Sequence, residues 1–130
     1  MRMNKLPHEK RRQILHMMVE GGSVRGISYE PATEYVNFRP YFSRGLSWIV
    51  CGGESGYKAR AFESDWAIAL IRECRQFGAK VFIKQLGSDP LLPATTILHP
   101  PRRRDMNLED SKGSNWLEWP TSLRVREFPA

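Results

Sequence analysis

The chain has 130 residues, of which 41% are hydrophobic and 26% charged, and a formal net charge of +6. That is enough for one domain with one modest core. No apolar run approaches the roughly 18–20 residues of a membrane span. The basic N-terminus lacks the apolar stretch and cleavage site of a secretory signal, and a strongly acidic DNA mimic is excluded by the charge. A cytoplasmic protein is expected.

Residues 7–20 place Ile14, Leu15, Met18 and Val19 on one side, with Lys10, Arg11 and Arg12 elsewhere, until Gly21-Gly22 ends the pattern. This predicts a short basic amphipathic helix within residues 1–22. Val24 to Tyr29 reads as a strand that stops at Glu30-Pro31, because proline cannot donate to a ladder. Residues 32–46 hold Pro40, Gly45 and four aromatics (Tyr35, Phe38, Tyr41, Phe42), a packed connection with one helical turn.

Leu46 to Cys51 is a nearly continuous apolar run of strand length, closed by Gly52-Gly53-Glu54-Ser55-Gly56. Such a run reads as a strand buried on both faces. Ser64 or Asp65 is the expected cap of the next helix, in which Trp66, Ala69, Leu70, Cys74 and Phe77 follow helical spacing until Gly78. Ala79 to Lys84 supplies a third buried strand. Leu46 to Gln85 is therefore a strand, helix, strand unit with a right-handed crossover expected. The fold class is α/β, with a small parallel core over residues 23–89. Residues 90–130, rich in Pro and Arg, read as loop or mobile segment through 110–115, with order returning at Trp116 and the alternation of Leu123 to Phe128 expected of a half-exposed strand or docked tail, all within one domain.

Parallel sheets place ligands beyond the carboxyl ends of their strands. Here those ends carry Glu30, then Gly52, Gly53, Glu54 and Ser55, then Lys84 and Gln85, so these residues form one candidate rim for a ligand or partner. The glycine loop admits close approach to backbone, where free amides could hold an anion. Glu54 argues against phosphate, and Lys84 is a natural partner for Glu54 or Glu30. The loop matches neither a P-loop nor the dinucleotide fingerprint. No nucleophile with an adjacent base is legible, so no catalytic residue is assigned. Cys51 and Cys74 form no metal-binding spacing with each other or with His8, His16 and His99, and they read as buried reduced thiols. The four tryptophans read as packing residues, with Trp116 and Trp119 the two that could also face a partner. The charge excess lies in two segments, residues 1–12 with Lys10, Arg11 and Arg12, and the loop run Arg102, Arg103 and Arg104. They are the candidate contacts to nucleic acid or an acidic partner.

Read together, Ile27-Ser28-Tyr29-Glu30-Pro31, Trp48 to Gly56, Asp65-Trp66, Phe82-Ile83-Lys84-Gln85 and Glu118-Trp119-Pro120 to Phe128-Pro129 resemble, in order and spacing, the phage Gp37/Gp68 family. That family is also called the three-Cys-motif proteins and is similar by pattern to radical-SAM enzymes. Tyr29 and Cys51 depart from the residues usual at those places. The resemblance covers roughly residues 24–130. It implies a partial (β/α) barrel corresponding to the C-terminal half of such a protein, without the cysteine-bearing half. S-adenosylmethionine and a 4Fe-4S cluster are then expected only in an assembly with a separate cysteine-bearing chain, and none on this chain alone.

A small parallel sheet leaves an edge and part of a face to be covered, so a protein partner or a homo-oligomer is expected. Three readings follow. The first is a non-catalytic phage or mobile-element protein acting by protein binding, such as a counter-defence factor or CRISPR inhibitor. The second is one half of a split radical-SAM-type enzyme, and the third a basic nucleic-acid-binding accessory protein.

Overall fold

The computed structural model describes residues 13–129. Its centre is a four-stranded sheet in the order β1-β2-β3-β5. Strands β2 (Ser23–Tyr29), β3 (Trp48–Gly52) and β5 (Lys80–Gln85) are parallel, and β1 (His16–Glu20) runs antiparallel to β2. Between β2 and β3 lies the single turn of α1 (Arg39–Phe42), and the β3-to-β5 crossover carries α2 (Ser64–Phe77). The mixed α/β class with a mostly parallel sheet is thus present, and the sheet does not close into a barrel.

The N-terminal helix is a correction. Where it falls on described residues, the chain forms strand β1, and the remainder, with Lys10, Arg11 and Arg12, lies outside them. The register Glu20 opposite Ser23 leaves Gly21-Gly22 as a two-residue hairpin loop, and both glycines have positive φ, 58° and 79°. That is the backbone a tight hairpin with right-handed strand twist demands. Gly-Gly is therefore a chain reversal and not a helix stop, and His16–Glu20 belong to the sheet.

Helix α2 begins and ends where its apolar spacing predicts, but its cap differs. Glu63 occupies the N-cap position without a side-chain bond. The Ser64 hydroxyl donates to the Leu91 carbonyl, and Asp65 accepts from the Ala94 amide at 3.0 Å. Both side chains tie the helix start to residues 91–94 instead. Short strands β4 (Phe62–Glu63) and β6 (Pro90–Leu91) pair in parallel beside it. Gly78 closes α2 in the left-handed conformation, as its position predicts.

The two faces of the sheet differ sharply. Ile27, Tyr29, Ile49, Cys51, Val81 and Ile83 share one face and are at most 1% exposed, packed in one cluster with Ala67, Leu70 and Cys74 of α2. The alternate residues Ser28, Trp48, Val50 and Phe82 are only half-buried. One helical layer thus covers one face.

The tail docks as a partial strand on the free edge of β5. Arg126 bridges Phe82, the Ile83 amide donates to the Val125 carbonyl at 2.8 Å, and the Glu127 amide donates to the Val81 carbonyl at 2.9 Å. The Glu127 carboxylate accepts from the Val81 amide and pairs with Arg75. Burial opposes its ionisation, yet those two partners prevail and hold its carboxyl below the usual range. The Arg126 guanidinium donates to the Ile83 and Lys84 carbonyls at 3.0 and 2.9 Å and lies over Phe82, Trp116 and Trp119, between 5.2 and 5.5 Å from each ring centre. Replacing Arg126 by Ala should therefore destabilise the fold by about 2 kcal/mol in urea unfolding, and Lys should recover less than half, lacking the planar fork.

Candidate functional site

The carboxyl ends of β2, β3 and β5 converge as the parallel register requires, and a shallow depression of about 270 Å³ is lined by Glu30, Pro31, Gly53, Glu54, Ser55 and Gln85. The rim residues are brought together, but mostly to satisfy one another. Lys84 pairs with Glu30 at 3.1 Å. The Gln85 amide donates to the Gly53 carbonyl at 2.9 Å and to the Ser55 hydroxyl at 2.8 Å. Glu54 receives Arg60 through both its oxygens, with contacts of 3.1 and 2.8 Å, and also accepts from the Arg60 amide. Of the two carboxylates offered as partners for Lys84, Glu30 takes the lysine and Glu54 takes Arg60. Arg60 was not legible as a rim residue, because nothing in its local sequence marks it.

The Glu30 Oε2 atom is buried without a hydrogen-bond partner, and it stands about 3.1 Å from where a Cβ on Gly52 would lie. Water does not reach it, so the oxygen faces backbone and not an open ligand site.

The glycine loop serves close backbone packing. A Cβ at position 53 would stand 2.3 Å from the Leu86 carbonyl oxygen, and one at 87 would stand 2.6 Å from that of Glu54. Neither spacing is tolerable for any side chain. The Gly53 amide donates to the Gln85 carbonyl and the Gly56 amide to the Ser88 hydroxyl, so these two amides are not available to an anion. The third layer of this contact is Gly113, whose carbonyl accepts from the Leu86 amide at 2.9 Å and from the Trp119 indole at 2.9 Å. Residues 110–115, expected to be loop or mobile segment, are loop held there. Asp110 accepts from the Ser114 hydroxyl and amide and from the Asn115 amide, and those hydrogen bonds pull its carboxyl below the usual range.

Among the described residues no group of three or more His, Cys, Asp or Glu stands close enough to hold a metal ion. The cysteines fit neither a cluster nor a nucleophile. Cys51 and Cys74 are buried and free. Burial, with nearby Glu30, pushes the Cys51 thiol far up, and burial followed by Glu73 pushes Cys74 up to about 12. Nucleophilic thiols need the opposite shift.

The arginine run is largely committed to carboxylates. Arg103 pairs with Asp89 and Asp105, and Arg104 with Glu63 and the Leu92 carbonyl, whereas Arg102 donates to the Pro100 carbonyl. Of the tryptophans, Trp119 is 1% exposed and Trp116 is 38% exposed.

Two outcomes test this reading. Replacing Gly53 by Ala should cost about 2 kcal/mol or more in unfolding free energy, since backbone must yield to the new methyl. Second, both thiols should resist the disulfide reagent DTNB at pH 8 until denaturant is added. The folded-state thiol values are raised, so stability should be flat below the ordinary thiol value of 9.0 and fall as pH rises through it, because the unfolded chain ionises first.

No curated protein and no solved structure matches the chain. A family model does match, over residues 5–116. The chain belongs to that family, described as a protein of unknown function (DUF5131).

Proposed function

We propose that the chain is a non-catalytic protein that acts by binding another protein. The observation that supports this is the one-sided sheet. The face opposite α2 leaves Ser28 and Val50 half-exposed beside Trp48 and Phe82, whose rings are covered in part by Phe128 and Arg126 of the tail. Beside them opens a groove of about 520 Å³ bounded by Met18, Val19, Arg25, Trp48 and Pro129. An incompletely covered apolar face of this kind suits a partner surface.

The rim, by contrast, spends its polar groups on internal bonds, and the buried thiols are the wrong chemistry for a nucleophile. On the likeness to the phage Gp37/Gp68 family, the open face is the side that the remainder of a radical-SAM-like barrel would line. The protein then serves a phage or mobile element in the cytoplasm of its bacterial host, as a counter-defence factor such as a CRISPR inhibitor. It works without a cofactor.

The test is recovery of the tagged chain from its host in mild salt, beside Ser28→Arg and Val50→Arg forms that retain the parent's melting behaviour. The expected result is a stoichiometric protein partner, free of iron and nucleic acid, that both substitutions release. A partner carrying a CxxxCxxC motif and iron would establish the split enzyme instead. Nuclease-sensitive, salt-sensitive recovery would establish the nucleic-acid reading.

A further inference from the structure

Strand β1 is the one open edge of the main sheet among the described residues, since the docked tail occupies the free edge of β5. All five β1 residues are exposed, with Met17 and Met18 at 43% and Val19 at 63%. Its register against β2 pairs Met18 with Gly26 and Val19 with Val24, so the extra residue, Arg25, belongs to β2. Strand β1 itself therefore runs unbroken, and its outer row of amides and carbonyls is regular.

Edge strands are ordinarily protected by lysine, proline, a bulge or a covering segment. His-Met-Met-Val-Glu has none of these among the described residues. The sequence is instead complementary to itself when read antiparallel. A two-fold axis at Met18 sets His16 against the partner's Glu20, Met17 against the partner's Val19, and Met18 against its own counterpart. Moving the axis to Met17 sets Glu20 against Ile14, and moving it to Val19 sets Met18 against Glu20. Only the Met18 register matches polar with polar and apolar with apolar at every position, and cross-strand pairs of those kinds are the ones that stabilise a sheet.

The same axis also joins two apolar rows. Met18, Gly26 and Trp48 are neighbours across the sheet, and the Met18 side chain lies over Gly26, where a Cβ would stand 2.4 Å from its terminal methyl. We propose that a second copy of this chain pairs with β1, antiparallel and centred on Met18, merging the two four-stranded sheets into one. This inference stands on the strand alone and does not need the binding reading above, although the groove offered there shares Met18 and Val19 with this edge.

Sedimentation velocity of the full chain should show a reversible dimer with a dissociation constant on the order of 10–100 μM, as a short interface implies. His16→Glu should weaken it roughly tenfold by opposing like charges, and His16→Glu with Glu20→His should restore it. Under mild oxidation Met18→Cys should give a disulfide-linked dimer, because it meets itself at the axis. His16→Cys should not, since its two copies would lie about 13 Å apart. The native cysteines are buried and do not compete. A monomer at every concentration, equal cross-linking at both positions, or a dimer indifferent to the charge exchange would each overturn the proposal. A dimer that persists while Ser28→Arg abolishes partner recovery would separate this edge from the binding face.

Discussion

The backbone contact among Gly53, Gly87 and Gly113 is the constraint on which the rest of the rim depends. Three segments that are remote in sequence approach at van der Waals distance with no side chain between them. Gly53 sits at the end of β3, Gly87 just beyond β5, and Gly113 in the C-terminal region. Their hydrogen bonds run in sequence, from the Gly53 amide to the Gln85 carbonyl and from the Leu86 amide to the Gly113 carbonyl. This contact fixes where the β3 loop turns, and so where Glu54 meets Arg60. It also carries Trp119 to its buried place through the indole bond to Gly113. From Trp119 the chain continues into the segment that closes the β5 edge, so the strand-end loop and the tail are parts of one arrangement.

That coupling explains why a glycine-rich strand end need not be an anion site. Glycine admits a close neighbour, and the neighbour can be a ligand or another stretch of backbone. The sequence of the loop is the same in either case. What separates them is whether the amides remain free, and here those of Gly53 and Gly56 are taken by Gln85 and Ser88. Glu30 and Arg60 are the exceptions on the rim, each with one buried side-chain atom that has no hydrogen-bond partner. The Oε1 of Glu30 has Lys84, while its Oε2 sits unbonded against Gly52. An exposed pair of this sort adds little stability, so the position of Glu30 follows from the end of β2 more than from its lysine.

The parts of the fold that were legible are those where one period dominates. The contiguous apolar residues of β3 and β5 and the helical spacing from Trp66 to Phe77 leave a single reading, and the parallel unit they form then places Glu30, Gly53, Ser55 and Gln85 on one rim. Strand β1 was not legible because Ile14, Leu15, Met18 and Val19 satisfy helical spacing, while a short edge strand exposed on both faces has no alternation to betray it. Gly21-Gly22 fits either ending. Partnerships across long separations were hidden for a different reason. Nothing near Arg60 marks its bond to Glu54, and nothing near Gly113 announces Gly87, since both follow from how the loops meet. The alternation of the tail was legible as a half-exposed strand or docked segment, but not which edge it joins.

The division of labour between the two sheet edges follows from the same facts. The β5 edge is closed by a segment whose anchor, Arg126, combines two carbonyl contacts with three aromatic faces, so it is the better protected side. The β1 edge is joined to the sheet only through a hairpin and shows its apolar residues to solvent. A sheet with one sealed edge, one open edge, one helix-covered face and one half-covered face is asymmetric in both directions. The polar groups of its rim are mostly paired with one another, whereas its apolar surface lies at β1 and, partly covered by the tail, on the face bearing Trp48 and Phe82. Those are the surfaces where a second chain gains most by burying area, and of the two the β1 edge is the freer, since the tail already packs Phe128 on Trp48 and Phe82 and lays Arg126 over Phe82.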